Sequence, residues 1–513
     1  MADDGRPIDA ARAAIEQAYQ LVESAQGHHD AALVDRAFAE AVAHGWADVV
    51  VLLHFARSLA CRENGVDDTE HLEAMLDVST SLGDQVLTAL AIAAQASRWA
   101  DRRRHDTGSA SAAGLLVRAV VLLDGDDGSA PVVHRAAALI EIGCVAHELG
   151  FWELALEYYA LTEQVLASCP DGEWSATVRR QQLVVTLNTA ELALDWASAL
   201  AGVGDWDGAS ARTTAVAADP VAEVGPRWPP KWVAQYLGQC TVLAAFAGRT
   251  VESPDSGATA LIEAILAARG GDAERAATLA ETAAHGVGFF LPSSTHLLML
   301  SLIAQRPGTN PAAVRYGAEL AKLRWNDRLD RMAGMREAIA VERRRRDHEQ
   351  LRHDLLVDEL TGLANRRGLQ EYCASLDGGS AEDLACAVLM IDVDHFKSIN
   401  DGYGHAMGDR VLNRLGAVLS GQVRPVDLAA RLGGDEFVVI IADVPRSMAD
   451  ARAEQVLDAV RDFPWGSIAP GLTVSISIGV DHGAAGSLPA TISSADHGLY
   501  KAKSRGRGRV AAT

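Results

Sequence analysis

Apolar and polar positions change rhythm twice along this 513-residue chain. From residue 1 to about 305, alanine and leucine recur at three- and four-residue spacing, as in helices that bury one face. Glycine-, proline- and aspartate-rich breaks fall at Asp124–Gly128, Cys169–Gly172, Pro226–Pro230 and Ser253–Gly257. Three segments, Gly150–Ala155, Gly204–Ala209 and Gly271–Ala276, share the pattern Gly-x4-Ala. Each is expected where one helix ends and the next begins, with small residues letting paired helices approach. After Pro307-Gly308-Thr309-Asn310-Pro311, a long polar helix is predicted to about Leu356. On it Trp325, Leu329, Met332, Ile339, Leu351 and Leu355 lie close to a heptad seam, which predicts a parallel two-helix stalk interrupted at Arg343–Arg346.

Beyond residue 357 the rhythm becomes short apolar runs between turns. Strands are predicted at 387–392, 428–432, 437–442 and 473–480, and helices at 366–376, 408–423, 447–462 and 491–504. That order predicts an antiparallel-centred α/β sheet with helices on one side. The chain is thus read as multidomain: an all-α region 1–305, a linker and signalling helix 306–356, and an α/β domain 357–513.

Charge narrows the partners. With 46 basic and 68 acidic side chains the formal charge is −22, which argues against non-specific binding of nucleic acid or an anionic membrane. Phosphate recognition must be local, and Lys501–Arg509, with five basic residues in nine, is a candidate for it. The six cysteines are scattered without a Cys-x-x-Cys pair and are expected to be reduced. Met1–Arg6 has no apolar signal-peptide core, and no apolar stretch approaches a membrane span, so a soluble cytoplasmic protein is expected.

The densest chemistry is Asp392, which ends the apolar run Ala387–Ile391, together with the turn Arg431-Leu432-Gly433-Gly434-Asp435-Glu436-Phe437. Acids on a strand end and a two-glycine turn supply hard oxygen ligands, suited to Mg²⁺ bound with a nucleoside triphosphate. Asp394 is expected to cap the following helix.

Five ordered motifs carry a resemblance: Asp358–Arg367; Asp392–Asp401 with Gly404-His405 and Gly408-Asp409; the Gly-Gly-Asp-Glu-Phe turn; Thr473–Val480; and Ala495–Arg507. In these the C-terminal region resembles the GGDEF family of diguanylate cyclases. The resemblance implies a palm-like nucleotide cyclase fold. It also implies condensation of two GTP into cyclic di-GMP and two pyrophosphates, at the interface of two such domains in a homodimer. It places Mg²⁺, with Mn²⁺ as an alternative, on Asp392, Asp435 and the Val393 carbonyl. Asp435 or Glu436 assists deprotonation of the 3′-hydroxyl, and Lys397 neutralises phosphate charge. Asn400 and Asp409 read guanine, Phe396 shapes the pocket, and Gly433 and Gly434 let phosphates approach the turn. Lys503 and Arg507, four residues apart at a helix end, clamp the outer phosphates. Arg424 and Asp427 form an Arg-x-x-Asp inhibitory site for the product. In the helical region, Gly143, Ala155 and Tyr159 resemble a tetratricopeptide repeat, which implies a solenoid that takes a protein or small-molecule partner.

Overall fold

The computed structural model describes residues 8–25, 30–101, 108–126, 128–170, 172–215, 220–225, 228–251, 255–376 and 384–513. Met1–Arg6 and parts of the predicted breaks (Asp127, Asp171, Pro226, Arg227, Ser253 and Pro254) lie outside these residues. The chain divides into two compact units, 1–343 and 344–513. The predicted segment 306–356 is therefore split: one uninterrupted helix, Pro311–Leu356, contributes to both units.

The first unit holds fifteen α-helices among the described residues between Ile8 and Ala304. The three Gly-x4-Ala segments mark helix joints, as the sequence predicts. Gly150, Gly204 and Gly271 have φ of 81°, 89° and 80°, the left-handed conformation that ends a helix. New helices start at Trp152, Trp206 and Ala273. Asp205 and Asp272 cap the last two by accepting from the N–H groups of Gly208 and Arg275. Ala155, Ala209 and Ala276 are buried in the joints. At the first joint, a Cβ on Gly143 would fall 2.4 Å from the Tyr159 ring, so glycine sets how closely that helix pair packs. Helix length is irregular: Ser175–Gly202 has 28 residues and Trp206–Arg212 has seven. No single repeat length describes this array.

The predicted stalk seam is corrected in its first half. Met332, Met335 and Ile339 are buried in the core of the helical unit itself, and Trp325 packs against it. Arg328, 5% exposed, makes a bidentate ion pair with Glu153 at 2.7 and 2.8 Å. Its guanidinium also lies 4.7 Å from the Trp152 ring centroid and 4.4 Å from that of Trp325. An apolar stripe on a helix specifies burial without specifying the partner, and here helices of the same unit supply it. Leu351 and Leu355 remain exposed.

The second unit is a five-stranded sheet in the order β2-β3-β1-β4-β5. Its elements are α1 (Arg366–Leu376), β1 (Ala385–Val393), α2 (Phe396–Tyr403), α3 (His405–Ser420), β2 (Leu428–Gly433), β3 (Glu436–Ala442), α4 (Arg446–Asp462), β4 (Ile476–Ala484), α5 (Leu488–Ser504) and β5 (Val510–Ala512). Strand β1 pairs antiparallel with β3 and β4, and β5 joins β4 in parallel. Helices cover both faces, which corrects the expectation of one. Ala387, Leu389 and Ile391 pack with Val411 and Leu415 of α3 and Val456 of α4. Cys386, Val388 and Met390 face the other way, onto Leu369 of α1 and Ala495 and Leu499 of α5. A strand covered on both sides reads as one continuous apolar run, which is what Ala387–Ile391 is. Strand β4 starts at Ile476 instead of 473, and β5 has no sequence signal of its own.

None of the six cysteines forms a disulfide. Among the described residues no helix is long and apolar enough to cross a membrane.

Candidate active site

Strand β1 runs through the middle of the sheet and delivers Asp392 to its end. Across the ladder Asp392 stands opposite Glu436. The β2–β3 turn is built on Gly433 (φ 144°) and Gly434 (φ 56°), backbone conformations that a side chain would strain. Val393 N–H donates to the Asp435 carbonyl at 3.2 Å, tying this turn to the end of β1. Asp392, Asp435 and Glu436 thereby lie together at this end of the sheet.

Asp392 is 7% exposed, and its Oδ2 accepts from Lys503 Nζ at 2.7 Å. Burial pushes its carboxyl above the ordinary range; Lys503 opposes that, and the negative charges of Asp435 and Glu436 add to it. One ammonium among three carboxylates leaves negative charge in surplus, and it stands where a cation is wanted. A divalent ion fits this donor set. Among the described residues no three His, Cys, Asp or Glu side chains are placed to hold a metal by themselves. Asp392 and Asp435 could hold a cation only together with backbone or substrate oxygens.

The residues expected to read the base lie on the helix pair that follows β1. A Cβ on Gly408 of α3 would fall 1.9 Å from Asn400 Oδ1 and 3.2 Å from the Phe396 ring. Phe396 and Asn400 of α2 therefore converge on Gly408, and exposed Asp409 comes next. Phe396 is also partly core, packed on the apolar face beneath. Lys397 is exposed on the first turn of α2.

The structure corrects two expectations. Helix α5 ends at Ser504, so Lys503 and Arg507 do not share a helix face. Arg507 lies in the following turn at φ 63°, between Gly506 and Gly508. Asp394 does not cap α2 with its side chain; His395 holds that position, without a side-chain bond. The Asp394 carboxylate accepts instead from Ser475, Ser477 and the Gly508 N–H. The alternation Ser475-x-Ser477 beside the end of β1 is the signal that could have revealed this.

Sequence reasoning also missed a brace behind the glycine turn. Arg431 donates to the Gly434 carbonyl at 3.0 and 2.8 Å and to both carboxylate oxygens of Asp358 at 3.1 and 3.2 Å. Burial works to raise the Asp358 pKa, but hydrogen bonds from Thr361 and Arg431 outweigh it and the net shift is downward. In the turn just before β2, Arg424 and Asp427 form an ion pair at 2.9 Å. Asp427 Oδ1 also accepts from the Ala442 N–H at 3.0 Å, and its side chain is wholly buried. Arg424 keeps about half its side chain in solvent.

Residues 355–509 match the family described as diguanylate cyclase, GGDEF domain. This segment belongs to the GGDEF family. The response regulator PleD of Caulobacter vibrioides is 41% identical over 165 residues, covering 30% of this chain and 35% of that protein. The diguanylate cyclase DgcM of Escherichia coli is 37% identical over 176 residues, covering 34% of this chain and 42% of that one. The chain thus spans less than half the length of these curated relatives, and the likeness rests on the GGDEF domain. A crystal structure of the coiled coil and GGDEF domain of DgcB from Caulobacter crescentus, in complex with c-di-GMP, is 31% identical. It covers 35% of this chain and 98% of that chain, with a TM-score of 0.32.

Proposed function

We propose that the second unit is a diguanylate cyclase, condensing two GTP into cyclic di-GMP with release of two pyrophosphates. The observation that carries this reading is the edge where Asp392, Asp435 and Glu436 meet Lys503 beside an intact Gly-Gly-Asp-Glu-Phe turn.

Each 3′-hydroxyl attacks the α-phosphorus of the other GTP, a new P–O bond forms, and pyrophosphate leaves. The hydroxyl proton passes to a carboxylate of the Asp435–Glu436 pair. Asn400 and Asp409 hold guanine by accepting and donating along its amide edge; adenine leaves the Asp409 carboxylate without its donors. The glycine turn admits the phosphates, and Lys397, Lys503 and Arg507 offset their charge. Asp392, Asp435 and the Val393 carbonyl would hold Mg²⁺, or Mn²⁺, which would supply Lewis-acid charge stabilisation on the triphosphate. One domain holds one GTP, so turnover requires a homodimer with two sites facing each other. The helical unit regulates that encounter through a protein or small-molecule partner. Cyclic di-GMP feeds back through the exposed Arg424 guanidinium, and the buried Asp427 fixes that side chain in place.

The test is turnover by the full chain with GTP and Mg²⁺, resolved by chromatography. Cyclic di-GMP and pyrophosphate are expected, and Asp435→Ala should abolish both. A confirmed dimer that forms no product would refute the reading. Calorimetry with cyclic di-GMP tests the feedback: Arg424→Ala should weaken binding, and a wild type that binds no product removes that part alone.

A further inference from the structure

Asp394 lies two residues past Asp392, 6% exposed, and the reaction above gives it no role. Its Oδ1 accepts from Ser477 Oγ at 2.6 Å; its Oδ2 accepts from Ser475 Oγ at 2.8 Å and from the Gly508 N–H at 2.9 Å. Its own N–H donates to the Ser475 carbonyl at 2.8 Å. Three pieces of chain meet on one carboxylate: the end of β1, the approach to β4, and the turn after α5. Hydrogen bonds to an ionised acceptor are strong, and three of them hold their donors in fixed positions.

The turn so held is the one that carries Arg507. Its backbone is left-handed at φ 63°, flanked by Gly506 at 111° and Gly508 at 60°. A non-glycine residue keeps such a conformation only where its surroundings enforce it. Here two bonds do so, from the Arg507 N–H to the Ala502 carbonyl at 3.1 Å and from the Gly508 N–H to Asp394. The second ties the turn to the strand end that presents Asp392, whose own partner, Lys503, is on the last turn of α5.

We infer that Asp394 is the positioning residue of the triphosphate clamp: it fixes where Arg507 stands relative to Lys503 and the carboxylates at the end of β1. The inference rests on the cyclase reading, because it needs a nucleoside triphosphate lying between those groups. Asp394 touches no substrate; it acts through Arg507. Its removal therefore weakens ligands that reach the clamp and spares those that do not.

The experiment is calorimetry on the full chain with Mg²⁺, using a non-hydrolysable GTP analogue and, separately, GMP. Wild type is expected to prefer the triphosphate. Asp394→Asn should weaken the analogue about tenfold, the scale of coupling between contacting residues, and leave GMP unchanged. Arg507→Ala should do the same, and the double variant should bind no more weakly than Arg507→Ala alone. Equal weakening of both ligands, a retained triphosphate preference, or full additivity with Arg507→Ala would each overturn the proposal. If Asp394→Asn does not fold, Ser475→Ala with Ser477→Ala removes two of the three donors and keeps the carboxylate. A smaller selective loss is then expected, and an unchanged preference overturns the inference. A wild type without any triphosphate preference is a different failure, since it defeats the cyclase reading first.

Discussion

Both units bury charged side chains, and the two burials do different things. In the helical unit Arg328 is enclosed by Trp152, Trp325 and the carboxylate of Glu153, a closed set in which every charge has its counterpart. In the GGDEF unit Asp392 is just as buried, yet against its ammonium partner stand the charges of two further carboxylates that act on Asp392 itself. A balanced buried pair holds a fold together. An unbalanced one, on a strand end beside a glycine turn, holds a place for a ligand. Burial alone would rank the two sites together; the charge balance separates them.

Asp392→Asn puts the greatest load on that contrast. It preserves shape, removes the charge, and is expected to lower turnover by about a thousandfold or more, on the scale of losing one preorganised electrostatic group. The unfolding transition of the helical unit should not move. Turnover surviving within tenfold of wild type would make Asp392 a structural acid like Glu153 and dissolve the distinction. Arg328→Ala is the mirror experiment. It strands Glu153 and opens the tryptophan enclosure, with an expected loss of about 3 kcal/mol in denaturant unfolding of the helical unit. Arg328→Lys should recover little of it, because an ammonium cannot bridge both Glu153 oxygens. A loss under about 0.5 kcal/mol would mean that the helix is not held there by this ion pair.

The same contrast explains what the sequence makes legible. In the GGDEF unit the informative residues are those that chemistry requires at fixed offsets: Asp392 after an apolar run, glycines at the turn, Asn400 eight residues on. Local order suffices to find them. What stayed hidden there depends on contacts distant in sequence, such as Arg431 reaching Asp358 or Gly508 reaching Asp394. Helix cover on both faces was written in the unbroken run Ala387–Ile391 and could have been read from it. In the helical unit the joints at Gly150, Gly204 and Gly271 were legible because a left-handed residue favours glycine. The partner of the stripe Met332–Met335–Ile339 was not, since apolar spacing records that a face is buried and not against what.

Gly408→Ala tests the base-reading half proposed for the site. The added methyl would meet Asn400 Oδ1 and the Phe396 ring, so the asparagine must move. Affinity for the GTP analogue should fall about tenfold, the cost of one displaced hydrogen-bonding group. Binding of inorganic pyrophosphate with Mg²⁺, which reaches the phosphate groups alone, should be unchanged. Equal losses for both ligands would show that the methyl disturbs the whole domain.

The smallest effect is expected from Glu23→Gln in the helical unit, and its sign is the informative part. Glu23 Oε2 lies 3.4 Å from Arg180 Nε, a distance that ordinarily favours the carboxylate. Burial nevertheless dominates and pushes the pKa from 4.5 to about 7, with Arg180 opposing. The folded state therefore holds its proton more tightly than the unfolded chain. Below about pH 4.5 both states are protonated and burial carries no charge penalty. Between pH 4.5 and 7 the unfolded chain ionises first, so this residue removes stability as pH rises; above 7 the loss is complete. Glutamine does not titrate, so the variant should match wild type near pH 4.5 and exceed it at pH 8, by about 1 kcal/mol after solvent screening. Thermal unfolding at the two pH values reads the difference directly. A wild type more stable than the variant at pH 8 would mean that the Arg180 pair outweighs burial, leaving Glu23 a balanced charge of the same kind as Glu153.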